Sequence, residues 1–104
     1  MWPTQTSPEE IMTSNIQHDT ARRRFETEVD GVTGYLEYSL QGDALSIDHT
    51  IVPSEIGGRG IAGDLVKAAL EHARAQNLKV IPACSYSDAY MRRHPEYEAL
   101  RKAN

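Results

Sequence analysis

Between Ile16 and Val52 apolar and polar residues alternate with a period of two, whereas from Ile61 to Ala73 apolar residues recur every three or four. A period of two sends successive side chains to opposite faces of a strand; one near 3.6 keeps them on one side of a helix. In the first region Phe25, Thr27 and Val29 point one way and Arg24, Glu26 and Glu28 the other. Asp30-Gly31 supplies a hairpin turn, since both residues tolerate positive φ. Leu36, Tyr38 and Leu40 then alternate with Tyr35, Glu37 and Ser39, and a second turn follows at Gly42-Asp43. The third strand puts Leu45, Ile47, His49 and Ile51 on one face. Three such strands make an antiparallel meander, with a short strand near Ile16–His18 ahead of it.

After Pro53 and a glycine cluster the period changes. Ile61, Leu65, Val66, Ala69, Leu70 and Ala73 form an apolar stripe, with Asp64, Lys67, Glu71 and Arg74 on the other side. Asn77 marks the stop. Leu78, Val80 and Ile81 read as a short buried strand ended by Pro82, which has no N–H for a ladder. A last helix starts near Ser87-Asp88 as cap residues and carries Ala89 and Tyr90. His94-Pro95 breaks it, and Tyr97–Leu100 add one more turn. The order β-β-β-loop-α-β-α predicts an α+β fold. An antiparallel meander leads into a right-handed βαβ crossover and a C-terminal helix, giving a mixed sheet with helices packed on it. Residues 1–14, with Pro3 and Pro8 among few apolar side chains, read as a loose tail, and 15–104 as a single domain.

At 104 residues there is room for one core, so any site is built from the elements that make the fold. The formal charge of −4 argues against general nucleic-acid binding, which needs a basic footprint. Arg22–Arg24 is the exception and reads as a solvated strand edge. The single cysteine, Cys84, excludes an internal disulfide. No basic-then-apolar leader opens the chain and no run approaches the length of a membrane span, so the expectation is a cytoplasmic protein without membrane contact. His18, His49, His72 and His94 read as scattered, with no close pair at ligand spacing and no metal expected.

Gly57-Gly58-Arg59-Gly60-Ile61-Ala62 lies between a strand and a helix. Glycines let backbone N–H groups converge without side-chain interference, and a helix N-terminus adds about half a positive charge. Those are the requirements for gripping a phosphate or pyrophosphate. Gly58, Gly60 and Gly63 also match the dinucleotide fingerprint G-x-G-x-x-G. That fingerprint needs an opening βαβ unit and an acidic residue about 20 positions on. Here the strand closes a meander, and Cys84-Ser85 stand near the end of the next strand.

The order of elements resembles the GCN5-related N-acetyltransferases, whose pyrophosphate signature is R/Q-x-x-G-x-G/A. Gly60 and Ala62 fit its last two fixed positions, while Gly57 replaces the usual Arg or Gln. Four stretches resemble the small single-domain branch of that superfamily, the YidJ-like or NATD1-like proteins. They are Ile47-Asp48-His49-Thr50, Gly58-Arg59-Gly60-Ile61-Ala62, Ile81-Pro82-Ala83-Cys84-Ser85-Tyr86 and His94-Pro95-Glu96-Tyr97. The resemblance implies acetyl transfer from acetyl-CoA to an amine or protein acceptor; the exposed strand edge after residue 22 adds the expectation of a monomer or weak dimer. The resemblance places the pantetheine arm along the backbone at Ile51 and Val52, between splayed strands, and the pyrophosphate on the loop Gly57–Ala62. Arg59 stands at the rim and Tyr86 nearby. His49 is implied as general base, or as activator of Cys84 acting as acetyl carrier, with Tyr90 (Tyr86 as rival) protonating the thiolate. The residues themselves leave room for His49 as a core histidine, Cys84 as a small core residue and Tyr90 as packing. A non-catalytic CoA-binding module or an interaction protein would use the same fold.

Overall fold

The computed structural model describes residues 15–102, so the tail read over 1–14 lies outside the described residues. Five strands form one sheet in the order β1-β2-β3-β4-β5. They are β1 (Gln17–Asp19), β2 (Arg24–Val29), β3 (Val32–Gln41), β4 (Ala44–Ile51) and β5 (Lys79–Pro82). The first four pair antiparallel; β5 pairs parallel to β4 after the crossover through helix α1 (Ile61–Ala75). Helix α2 (Ser85–Arg93) and a 3-10 segment (Pro95–Leu100) complete the chain. At the first turn Asp30 and Gly31 both take positive φ, 53° and 78°, which matches the right-handed twist of the flanking strands. Asn77 at φ 58° ends the crossover helix in the left-handed conformation that asparagine tolerates.

The core forms on one face of the sheet. Phe25, Leu36, Tyr38, Leu45, Ile47 and Val80 meet the α1 stripe of Ile61, Leu65, Val66, Ala69, Leu70 and Ala73. Met91 and Tyr90 of α2 and Tyr97 of the last turn close over the same cluster. The opposite face is polar and, among the described residues, carries no helix. There Arg24 lies between Glu37 (3.1 Å) and Glu26 (3.6 Å), with its guanidinium 4.2 Å above the Tyr35 ring. Arg24 therefore faces out from an interior position, because β1 covers this part of the β2 edge.

Three expectations need correction. β4 does not alternate uniformly. Tyr38 pairs with Ile47 while Glu37 pairs with His49, so Asp48 is an extra residue and the strand carries a β-bulge. The bulge shifts the alternation by one: Thr50 comes opposite the buried Leu36, while His49 and Ile51 lie opposite Glu37 and Tyr35 and are exposed. His49 and Ile51 thus leave the face of Leu45 and Ile47. Leu40, read as inward, is 47% exposed because it sits at the hairpin end of β3. α2 begins at Ser85 with Cys84 as N-cap, ahead of the Ser87-Asp88 start read from the sequence. The segment after Pro53 is ordered as a 3-10 turn (Ser54–Ile56), because Ile56 is buried and anchors it.

Candidate functional site

The ladder between β4 and β5 runs from Ala44↔Lys79 to Ile47↔Pro82 and stops there. Pro82 has no N–H to extend it, and the Asp48 bulge bends β4 at the same level. Beyond that point His49–Ile51 have β3 on one side and, among the described residues, no strand on the other. Two contacts span the strands just past the closed end. Cys84 N–H donates to Ile47 O at 3.1 Å, and Thr50 Oγ1 and Cys84 Sγ share a hydrogen bond at 3.5 Å. A cleft therefore opens from Ile47 toward Ile51 and Val52.

At the end of that cleft stands the glycine loop. Gly58 (φ 79°) and Gly60 (φ 78°) are both left-handed, and a Cβ at either would point into open space. Gly60 is the N-cap of α1 and offers no side chain, so the first-turn N–H groups of Ile61, Ala62 and Gly63 keep no side-chain cap. An uncapped, glycine-lined helix N-terminus beside a cleft fits a pyrophosphate, since its first N–H groups have no side-chain cap. Gly57 is different. Its N–H is committed to Ser54 O at 3.1 Å, so it shapes the loop without lending a donor. Arg59 is drawn to Asp30 in the β2–β3 turn (2.8 Å), and both side chains are well exposed.

Cys84 does not meet His49. Its thiol donates to Ser87 Oγ (3.1 Å) and its sulfur accepts from Ser87 N–H (3.4 Å), while Ser87 Oγ donates back to Cys84 O (2.9 Å). Thr50 and Ser87 are thus its polar neighbours, and the bulge has turned His49 to the other face. Tyr90 is buried, stacked on His94 with centroids 4.1 Å apart, and burial raises its phenol pKa above the usual value. Tyr86 is half-exposed, with its hydroxyl against the first turn of α1.

Several residues at this site were missed from the sequence. Gly63 is one: a Cβ there would lie 3.3 Å from Tyr86 Oη and 3.5 Å from Tyr90 Cε2, so its absence lets α2 dock on the start of α1. Gly34 similarly admits Ile51 O, Val52 and Ile61 within 3.6 Å. Ser87 was read only as a helix cap and Thr50 only as part of a family-like stretch, so neither was foreseen as a partner of Cys84. Away from the cleft, His18 and His72 contradict the scattered reading, with rings 4.5 Å apart edge to face. They come from β1 and the far half of α1, a proximity that spacing along the chain cannot reveal.

A family model described as GCN5-related N-acetyl-transferase matches residues 24–100. The chain is 35% identical to Protein NATD1 of Mus musculus over 90 residues, covering 84% of this chain and 82% of that protein. It is likewise 35% identical to Protein NATD1 of Homo sapiens, covering 84% and 80%. Its fold is similar to that of a GCN5-like putative N-acetyltransferase from Staphylococcus aureus solved by NMR. The TM-score is 0.68 at 28% identity, over 89% of this chain and 92% of the other. The cleft, the uncapped glycine loop and these likenesses agree: the chain belongs to the GCN5-related N-acetyltransferase family.

Proposed function

We propose that this protein transfers an acetyl group from acetyl-CoA to an amine. The observation that carries the reading is the continuity of the cleft beyond Ile47↔Pro82 with the uncapped N-terminus of α1. In this reading the N–H groups of Gly58, Gly60, Ile61 and Ala62 hold the pyrophosphate, and the backbone at Ile51 and Val52 takes the pantetheine arm. Gly57 shapes the loop, Arg59 closes its rim through Asp30, and Tyr86 flanks the first turn of α1.

When bound, acetyl-CoA supplies a thioester carbonyl that an amine can attack. His49, exposed on β4 beside the bulge, removes the proton that the amine must lose. The N–C bond forms as the C–S bond breaks, and the electron pair leaves on sulfur. Tyr90 gives a proton to that thiolate. One proton leaves nitrogen and one reaches sulfur, so the transfer balances. Direct attack is favoured over an acetyl-cysteine, because the partners of Cys84 are hydroxyls and a backbone N–H.

Amide NMR titration with acetyl-CoA tests the reading. Shifts are expected at Ile51–Ala62 and Cys84–Tyr90, and His49→Ala should lower turnover by about 10²–10⁴-fold. An unchanged spectrum at millimolar acetyl-CoA would sink it. Binding without acetylated product across a panel of amines would leave a CoA-binding module.

A further inference from the structure

Arg59 is the one basic residue between Val52 and Lys67, a stretch that also holds Glu55 and Asp64. It stands between Gly58 and Gly60, both left-handed, and neither flank has a side chain to pack against it. The guanidinium is held at its tip instead. Asp30 of the β2–β3 turn accepts from Arg59 Nη1 at 2.8 Å. That turn is a firm anchor. Val29 pairs with Val32 across it, and a Cβ at Gly34 would meet Ile61 at 3.6 Å, so β3 lies close against the start of α1.

The contact is weak enough to be exchanged. Arg101 grips Glu98 through two nitrogens, at 2.9 and 3.0 Å, whereas among the described residues Arg59 meets Asp30 through one. The Arg59 and Asp30 side chains are 48% and 72% exposed, and a pair so open to water and salt contributes little. A phosphate carries more negative charge than this carboxylate and matches the guanidinium fork with two oxygens. In the acetyl-CoA reading the phosphates arrive at the very loop that carries Arg59.

We infer that Asp30 and a phosphate of the cofactor compete for Arg59. The aspartate holds the guanidinium at rest, and the phosphate takes it over on binding. Asp30 thereby lowers cofactor affinity from outside the loop. The inference rests on the acetyl-CoA reading and adds to it a residue that sets how tightly the cofactor is held.

Isothermal titration with CoA tests it on four chains: wild type, Asp30→Asn, Arg59→Ala and the double variant. Asparagine tolerates the positive φ of position 30, and amide spectra check that each variant keeps the fold. Asp30→Asn should bind CoA about two- to fivefold more tightly than wild type. Arg59→Ala should bind more weakly, and adding Asp30→Asn to it should change nothing. Dephospho-CoA then identifies the competing group. A gain confined to CoA assigns the 3′-phosphate, and an equal gain with dephospho-CoA assigns the pyrophosphate. Unchanged or weaker binding by Asp30→Asn would overturn the inference. So would a gain of the same size without Arg59, which would be plain repulsion by the Asp30 charge. CoA binding indifferent to Asp30 sinks only this competition, whereas a wild-type chain silent at millimolar CoA sinks the acetyl-CoA reading and the inference with it.

Discussion

The sulfur of Cys84 caps α2 and touches Thr50 across the cleft, so one side chain serves both helix and site. Replacing it separates two roles. Cys84→Ala removes the acceptor for Ser87 N–H and should cost about 1 kcal/mol, the usual worth of an N-cap. Cys84→Ser keeps an acceptor, and denaturant melts should place it closer to wild type. If turnover follows the same order, the cysteine acts by capping; loss of turnover in the serine variant with normal stability would assign it a thiol carrier. Gly60 invites a similar test. Its φ of 78° is strained for any L side chain, though a Cβ there meets nothing. Gly60→Ala should therefore cost about 1–2 kcal/mol, and isothermal titration should show weaker acetyl-CoA binding as the loop relaxes. Undiminished affinity would remove Gly60 from the cradle.

Among the elements, α1 has two ends with different duties. Its body supplies the core stripe, and its N-terminus is kept bare for the proposed anion. Leu65, fully buried one turn in, anchors that end against the sheet. Leu65→Ala should destabilise by about 2–5 kcal/mol, measured by urea unfolding. A loss well below that range would mean that α1 collapses onto the sheet and the cradle moves with it. The β4 bulge is the other decisive element. One residue inserted against β3 sends Thr50 toward Cys84 and leaves Asp48 and His49 on the helix-free side. Period-two patterning cannot register an inserted residue, which is why His49 read as a neighbour of Ile47 in the sequence.

Over the whole molecule, the far edge of the sheet is held by an aromatic and histidine cluster. His18 Nε2 and Tyr38 Oη share a hydrogen bond, and the His18 ring stacks on Phe25 at 4.1 Å with His72 against its edge. Burial, then the neighbouring His72, lowers the His18 pKa, with Asp19 opposing. The folded chain thus takes up this proton less readily than the unfolded one. Below pH 6.5 the unfolded state binds more protons, so stability is full above that value and declines as pH falls toward the folded pKa. Thermal melts between pH 7 and 5 should show a falling midpoint, and His72→Gln should flatten the decline. A ring titration of His18 at or above 6.5 would contradict this. No described helix is long and apolar enough to cross a membrane.

Local pattern by itself determined most of the fold. Period two at Phe25–Val29 and Val32–Ser39, positive-φ residues at Asp30-Gly31 and the stripe from Ile61 to Ala73 are near-neighbour preferences, legible without partners. The glycine loop was legible for the same reason, because Gly58 and Gly60 meet backbone needs set within their own segment. Tertiary structure alone decided the rest. The Asp48 bulge depends on how β3 registers against β4, and the commitment of Gly57 N–H on the 3-10 turn anchored by Ile56. Gly63 is explained only by tyrosines more than twenty residues away, and His18 meets His72 only when β1 and α1 are brought together. Which backbone conformations a residue favours is written locally; which side chains it will meet is settled by long-range packing.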